Sequence, residues 1–294
     1  MRIAFFSDIH GNLQALNAIL EDIKNEEFDE VISLGDVIGI GPKPKECLEL
    51  LLNSDITLIS GNHDLYYKYG IELDDGITEV EEIEHHKWIH SEVEKIISRD
   101  EMKEMMKKEI YINGKKFSFQ HYMLSEDTSV DPYPFLTISI KNMKDIEDYC
   151  RNMEYDYLFI GHEHKHFVVE KNGKMIYCVG SSGCVRDNKT FYTILDVGKD
   201  IKITRKELEF DREGLLKDIE SYEYPDQKTL KKGFFGISDW YRFFCVIITL
   251  VIFMNKKQRA KRKTLTLTPM LPKKFNSRER AEIRRKEKEI LGGK

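Results

Sequence analysis

Along the first sixty positions, apolar residues occur in two patterns: short runs, and single residues at a spacing of three or four. Mainly apolar runs at 3–6, 31–34 and 56–59 are typical of buried strands, because both faces of such strands pack against other residues. Between the first two runs, leucine and isoleucine recur every three or four positions over 13–23, which predicts one apolar helix face. A second helix, opened by two prolines, is predicted over 42–52. This order of strands and helices favours a sheet with parallel strands.

The rest of the chain changes character. The segment 72–108 has glutamate, lysine and histidine at three-to-four spacing, so it predicts a helical cap inserted before the next strands. The Asn-Gly pairs at 113–114 and 172–173 lie between strand-like runs and supply the positive φ angles of two-residue hairpins. The second half is therefore expected to be more antiparallel. Further strands are predicted at 157–160, 175–179, 191–197 and 201–208, and further helices at 144–153 and 212–221.

The composition indicates a folded domain with an unlike tail. Of 294 residues, 41% are hydrophobic and 33% are charged, which excludes a disordered or fibrous chain. The net charge of −5 combines −16 for residues 1–254 with +11 for residues 255–294. An abrupt change of composition near Gly236 predicts a domain over 1–236, which includes the cap, and a separate C-terminal segment over 237–294.

The C-terminal segment carries twelve apolar residues, 243–254, followed directly by a run of lysine and arginine. A helix of this length spans ~18 Å, less than the roughly 30 Å of a hydrocarbon core, so a simple membrane span is disfavoured. Four interpretations stay open. They are a peripheral membrane contact through residues 240–263, a marginal or re-entrant membrane segment, a buried C-terminal element, and a fused or frame-shifted end.

The five cysteines are Cys47, Cys150, Cys178, Cys184 and Cys245. Their odd number and the absence of CxxC spacing argue against a disulfide framework and a zinc knuckle. We interpret them as small buried apolar residues. The N-terminus has too short an apolar stretch for a signal peptide, so a cytoplasmic protein is predicted.

Candidate chemistry concentrates where the predicted strands end. Extended chain has a side-chain period of two, so Asp8 and His10 are expected to leave one face together, as are His162 and His164. Carboxylate, amide and imidazole donors suit Mn, Fe or Zn better than Ca or Mg. Seven such donors are too many for one tetrahedral ion, whereas two ions sharing a carboxylate would use them all. The motifs are Asp8-Ile9-His10, Gly35-Asp36, Gly61-Asn62-His63-Asp64, Gln120-His121 and Gly161-His162-Glu163-His164.

Four motifs, in order along residues 1–210, resemble those of the calcineurin-like metallophosphoesterase superfamily. They are DIHGN at 8–12, GDVIGIGP at 35–42, GNHD at 61–64 and GHEH at 161–164. The first two are most similar to the small bacterial and archaeal phosphodiesterase or phosphatase branch. The resemblance implies an α/β fold, a four-layer α/β/β/α sandwich of two mixed β-sheets, here with a helical cap insertion. It also implies a hydrolase that cleaves a phosphodiester or phosphomonoester by attack of a metal-bridging hydroxide.

The resemblance also implies a role for each motif residue. Ligands of a first metal would be Asp8, His10 and His164; ligands of a second would be Asn62, His121 and His162; and Asp36 would bridge the two. His63 would lie over the substrate, where it would stabilise the phosphorus centre or protonate the leaving oxygen. Manganese is the ion expected first, with iron, zinc, nickel and cobalt as alternatives.

Other residues are candidates for substrate contact. Tyr122 follows His121 where the family often has Gly, Ala or Thr, and it is predicted to narrow the pocket or to stack on an aromatic substrate group. Arg186, after a Gly-Ser-Ser-Gly turn, is a predicted substrate contact, with an ordinary surface residue as the alternative. His86 and His90, four residues apart, could hold a metal on a helix, but a solvated face or packing within the cap is the preferred interpretation.

A small phosphoester, with nucleotides among the candidates, is the predicted substrate. The alternatives are a scaffold that keeps the fold without metal chemistry, and a nuclease whose basic tail grips a phosphate backbone. The acidic body argues against a long nucleic-acid groove, so nucleic acid is the less favoured partner. The sequence leaves the metal, the substrate and the oligomeric state open.

Overall fold

The computed structural model describes residues 1–70, 80–124, 143–222 and 225–236, and the elements below lie within them. The strands are β1 Arg2–Phe6, β2 Glu30–Ser33, β3 Thr57–Leu58, β4 Lys107–Ile112, β5 Lys115–Gln120, β6 Tyr157–Ile160, β7 Phe167–Lys171, β8 Lys174–Cys178, β9 Lys189–Val197 and β10 Ile201–Glu209. The helices are α1 Leu13–Ile23, α2 Pro44–Leu52, α3 Asn62–Tyr69, α4 Val80–Val93, α5 Met143–Asn152, α6 Arg212–Ser221 and α7 Gln227–Gly233.

The first sheet has the strand order β10-β9-β1-β2-β3. The pairs β1–β2 and β2–β3 are parallel, as the alternation of strands and helices predicted. In the register of the first pair, Phe6 lies opposite Ser33. The loops that follow β1 and β2 therefore start side by side at one edge of the sheet.

The second sheet has the order β4-β5-β6-β8-β7. Its two hairpins, β4–β5 and β7–β8, turn at the predicted Asn-Gly pairs, where Asn113 and Asn172 have φ of 51° and 52° and the glycines have φ of 75°. The pairs β5–β6 and β6–β8 are parallel, so this sheet is mixed. The loops after β5 and β6 consequently emerge at one edge.

The two sheets pack face to face, with helices outside them. Between the sheets, the ring of Phe5 in β1 lies 5.3 Å from that of Phe119 and 4.8 Å from that of Phe159. On the outer face of the first sheet, Leu16 of α1 belongs to a second buried cluster. Ile146 of α5 packs on the outer face of the second sheet. The architecture is the expected α/β/β/α sandwich of two mixed sheets.

Three helices were either predicted only as part of the cap or not predicted at all. The helix α4 lies in the segment predicted as a cap. Neither α3 nor α7 was predicted. The helix α3 begins inside the third motif, after the N-cap Gly61, and ends at Gly70, whose φ of 70° favours glycine.

Residues 237–294 lie outside the described residues, and so do 72–79 of the predicted cap. The domain boundary at 236, the apolar run at 243–254 and the membrane contact through 240–263 therefore stay predictions. Within the part of the chain that the structure describes, no helix combines the length and the apolar character that crossing a membrane requires.

Candidate metal centre

The strand-end motifs lie in tight loops. The strand β1 ends at Phe6 and β6 ends at Ile160, before their motif histidines. The expectation that each pair leaves one face of extended chain was therefore wrong, because left-handed backbone at alternate positions brings the side chains together instead. Such backbone costs of order 1–3 kcal/mol per residue and persists where the surroundings enforce it. Positive φ angles between 47° and 64° occur at Asp8, His10, Asp36, His162 and His164.

Asp8, His10 and His164 form the first donor group. The Nε2 atoms of the two histidines lie 3.0 Å apart. Oδ1 of Asp8 lies 3.4 Å from Nε2 of His164 and 3.8 Å from Nε2 of His10. Asp8 and His10 are fully buried. Three donor atoms from the loops after β1 and β6 thus converge on one point.

Asn62, His121 and His162 form the second donor group. Oδ1 of Asn62 lies 3.2 Å from Nε2 of His121 and 3.0 Å from Nδ1 of His162. Asn62 is the first residue of α3, His121 follows β5 and His162 follows β6. Side chains from three loops therefore meet at a second point.

Asp36 lies between the two donor groups. Its Oδ2 is 3.5 Å from Nε2 of His10 in the first group and 3.3 Å from Nε2 of His121 in the second. Its Oδ1 accepts the backbone N–H of His63 at 2.9 Å, which fixes the plane of the carboxylate. One oxygen atom therefore faces both groups.

Two of the histidines are oriented by backbone carbonyls. Nδ1 of His10 lies 3.2 Å from the Ile38 carbonyl oxygen, and Nδ1 of His121 lies 2.7 Å from that of Leu34. Each carbonyl requires a proton on the nitrogen that faces it. When the ring is neutral, its Nε2 is left with a lone pair directed at the centre, as in metal-binding histidines.

The donor set fits divalent cations. Lone pairs of nitrogen and oxygen face one another at the distances above, and a cation between them removes their mutual repulsion. A mixed set of carboxylate, amide and imidazole donors suits divalent first-row metals. Among the residues that the structure describes, three sets have ligand atoms that all lie within 4.8 Å of one another, namely His10-His164-Cys184, His10-Asp36-His63 and Asp36-His121-His162.

The electrostatics of the site favour a negative Asp36. Desolvation alone would raise the pKa of this carboxyl group, but the neighbouring His121 and His63 outweigh it and hold the pKa well below its ordinary value. Burial likewise opposes a charge on His121, yet Asp36 raises the pKa of that imidazole to about 9. The carboxylate therefore attracts positive charge, whether a proton or a metal ion, to this position.

Asp64 is a functional residue to which the sequence reasoning assigned no role. Its Oδ2 accepts the backbone N–H of Asp36 at 2.8 Å and that of Gly61 at 2.9 Å. Desolvation, followed by the nearby Asp36, raises its pKa to about 7. Asp64 thus ties the loop of the shared carboxylate to the start of α3, which carries Asn62. The available signal was an acidic residue three positions after a helix N-cap.

His63 lies beside the first donor group and against α4. Its ring is perpendicular to that of His10, with centroids 4.9 Å apart. On its other side it stacks on His86, at 5.2 Å and 22°. His86 and His90 are both 3% exposed, so the packing interpretation of these two histidines is correct and the solvated one is not. Nδ1 of His63 is buried and has no hydrogen-bond partner among the described residues.

The two predicted substrate contacts, Tyr122 and Arg186, have different surroundings. Tyr122 is 3% exposed and packs edge-on against His121 and His162, at 5.2 and 5.5 Å between ring centroids. Arg186 donates a hydrogen bond to the Gly233 carbonyl at 3.1 Å. Their assignment as substrate contacts stays a prediction.

Comparisons with known proteins found a family and a relative that match most of this chain. Residues 1–200 match the family described as the calcineurin-like phosphoesterase superfamily domain. An uncharacterised protein of Methanocaldococcus jannaschii is 31% identical over 245 residues, which cover 76% of this chain and 94% of that protein.

Two crystal structures share the fold. One is a metallophosphoesterase from Sphaerobacter thermophilus, with 21% identity, a TM-score of 0.56, and coverage of 78% of this chain and 97% of that one. The other is a hypothetical protein from Pyrococcus horikoshii, with 19% identity, a TM-score of 0.60, and coverage of 81% and 99%.

Proposed function

This chain belongs to the calcineurin-like phosphoesterase superfamily, and from that premise we propose that it hydrolyses a small phosphoester with two divalent cations held in the strand-end loops. The observation that supports this most is the position of Asp36, whose Oδ2 lies within 3.5 Å of histidine nitrogens from both donor groups. A carboxylate shared in this way is what a pair of cations about 3.5–4 Å apart requires.

The two donor groups divide the ligands between the cations. The first cation would be held by Asp8, His10 and His164. The second would be held by Asn62, His121 and His162, and Asp36 would bind both. Such cations supply Lewis-acid polarisation of the phosphoryl oxygens and lower the pKa of the attacking water. Manganese is the first expectation, and iron, zinc, nickel and cobalt fit the same donors.

His63 provides the proton chemistry of the protein itself. Burial lowers the pKa of this imidazole, even though Asp36 opposes the shift. A neutral ring carries one N–H donor, which can protonate the oxygen of the leaving group or donate a hydrogen bond to the phosphoryl group as charge develops. The hydrogen bond from its backbone to Asp36 ties this ring to the shared carboxylate.

The substrate class is inferred less directly than the metal ligands. Both phosphodiesters and phosphomonoesters suit a site of this chemistry, and nucleotides stay among the candidates. A comparison of bis-p-nitrophenyl phosphate with p-nitrophenyl phosphate separates the two ester classes.

Metal removal tests the proposal. Treatment of the full-length protein with a chelator should abolish hydrolysis of both p-nitrophenyl esters, and added Mn²⁺ should restore it. Asn62→Ala should prevent the restoration, whereas the matched control Asn53→Ala, which alters an exposed bond to the Glu49 carbonyl, should not. Undiminished activity in the metal-free protein would refute the mechanism. Absence of both bound metal and activity would instead favour the scaffold alternative.

A further inference from the structure

The loop after β8 brings a thiol to the first donor group. The Sγ atom of Cys184 and nitrogen atoms of His10 and His164 all lie within 4.8 Å of one another. Cys184 is half-buried, whereas Cys47, Cys150 and Cys178 are buried. The interpretation of the cysteines as buried apolar residues therefore suits these three and not Cys184, while Cys245 lies outside the described residues.

The backbone around Cys184 is attached to the loop that carries Asp8 and His10. The N–H of Gly183 donates to the Asp8 carbonyl at 3.0 Å, and Nδ2 of Asn12 donates to the Gly183 carbonyl at 2.8 Å. A Cβ atom at position 183 would lie 1.9 Å from the Ile9 carbonyl oxygen, so only glycine permits this approach. The position of the thiol relative to the donors is thus set by short contacts.

Ser181 holds Cys184 from its other side. Its hydroxyl donates to the Asp8 carbonyl at 2.8 Å and accepts the backbone N–H of Cys184 at 2.8 Å. Ser181 is 2% exposed. One buried hydroxyl group therefore links the cysteine to the backbone of the carboxylate ligand.

The distances allow one ion to reach all three side chains. Zinc–sulfur bonds are about 2.3 Å and zinc–nitrogen bonds about 2.0–2.1 Å, so a sulfur and a nitrogen at the tetrahedral angle of one ion are about 3.6 Å apart. The ligand atoms of this group lie within 4.8 Å of one another. A movement of the thiol by at most about 1.2 Å, through rotation of the cysteine side chain, would therefore complete the coordination.

We propose that Cys184 is an additional ligand of the first cation, and that it shifts the preference of this position from manganese towards zinc, iron or cobalt. The proposal rests on the proposed function. Coordination breaks the S–H bond, forms a sulfur–metal bond and releases the proton to solvent. Thiolate is a soft ligand and selects these metals over Mn²⁺ and Mg²⁺. The second donor group has oxygen and nitrogen ligands and keeps the preference for harder ions.

Cobalt binding provides a spectroscopic test. We would add Co²⁺ to the reduced, metal-free, full-length protein and record its near-ultraviolet and visible spectra, with bound cobalt measured by elemental analysis. The wild type should show a thiolate-to-cobalt charge-transfer band in addition to the visible bands of the ion. Cys184→Ser should bind cobalt without the charge-transfer band. The matched control Cys150→Ala, whose thiol contacts the carbonyls of Val169 and Lys174, should keep the band.

The outcomes separate this inference from the proposed function. Bound cobalt with no charge-transfer band in the wild type, or with an equal band in Cys184→Ser, overturns the inference alone. Failure of the wild type to bind cobalt overturns both. In competition between Zn²⁺ and Mn²⁺, Cys184→Ser should lose about 10- to 100-fold of the preference for zinc, and an unchanged ratio contradicts the proposal. Circular dichroism verifies that each variant is folded.

Discussion

Two sets of histidines in this molecule have different surroundings. The strand-end histidines, His10, His121, His162 and His164, each have a ring nitrogen within 3.4 Å of a carbonyl, amide or carboxylate oxygen. The α4 pair, His86 and His90, instead contacts rings. His86 stacks on His63, and His90 lies edge-on to Tyr67 at 5.5 Å.

The pKa values of the α4 pair are both lowered. Burial and the neighbouring histidines lower the pKa of His86 to about 3, and burial, followed by Arg99, lowers that of His90 to about 4. The strand-end histidines do not shift together: burial lowers the pKa of His10 and His162, whereas Asp36 outweighs burial at His121 and raises its pKa to about 9.

Among the described residues, the three sets of potential metal ligands include no histidine of α4. Burial alone therefore does not mark a metal-binding histidine, and neither does an oxygen beside one ring nitrogen, because the buried His85 of α4 has its Nε2 3.3 Å from the Gly39 carbonyl oxygen. In the described part of the chain, the strand-end histidines differ from those of α4 in that their ring nitrogens converge with other donor atoms on one point.

Among the substitutions considered for the two sets of histidines, Asp36→Asn should cause the largest loss of bound metal and of activity. The amide keeps the shape and can still accept the hydrogen bond from His63, but it loses the charge that both donor groups share. We expect bound metal to fall from two equivalents to one or fewer, and kcat to fall on the order of 10³-fold. Elemental analysis and hydrolysis of bis-p-nitrophenyl phosphate measure the two quantities.

Two variants serve as controls for Asp36→Asn. Asp196→Asn removes a carboxylate that pairs with Arg2 at the surface, and His90→Phe removes a buried histidine of the α4 pair. Both should keep the metal content and kcat of the wild type. Loss of metal from His90→Phe would break the distinction between the two sets of histidines.

Much of the site could be predicted because its chemistry is local in sequence. Each donor lies within a short motif directly after a strand, and parallel strands bring their following loops to one edge. The geometry within each loop could not be predicted in the same way. Asp8 and His10 converge through left-handed backbone, which the contacts of neighbouring loops enforce, and a strand period does not describe them.

The residues that sequence reasoning missed depend on long-range packing. Cys184 reaches His10 only because its loop binds the backbone at Asp8, far away in the chain. His86 reaches His63 only because α4 packs over the start of α3. Neither contact is indicated by a periodic pattern or a motif. The sequence therefore predicted only a buried apolar cysteine, and a histidine that is either solvated or packed within the cap.

His86→Ala should have the next largest effect. Loss of the stacked ring would let His63 turn away from the leaving oxygen, which should lower kcat on the order of 10- to 100-fold with little change in KM. The loss should be greater for phenyl phosphate than for p-nitrophenyl phosphate, because a poorer leaving group depends more on protonation. His86→Phe, which keeps a flat ring against His63, should recover most of the rate. Equal losses for both substrates would contradict the positioning role.

The α4 pair should also make the stability of the fold depend on pH. An unfolded histidine has a pKa near 6.5, whereas the folded values are about 3 for His86 and about 4 for His90. Between these pKa values the unfolded state binds more protons than the folded state. The contribution of the α4 pair to the free energy of unfolding is therefore fully present above pH 6.5 and is lost as the pH falls towards the folded pKa values. Each histidine contributes at most about 1.4 kcal/mol per pH unit to the slope of the free energy of unfolding against pH.

Urea unfolding of the metal-free protein between pH 6 and 4.5 should therefore show a shallower slope in His86→Phe and in His90→Phe than in the wild type. The strand-end histidines are the same in all three proteins, so their contribution cancels in the comparison, and identical slopes would mean that the α4 pair is accessible to protons in the folded state.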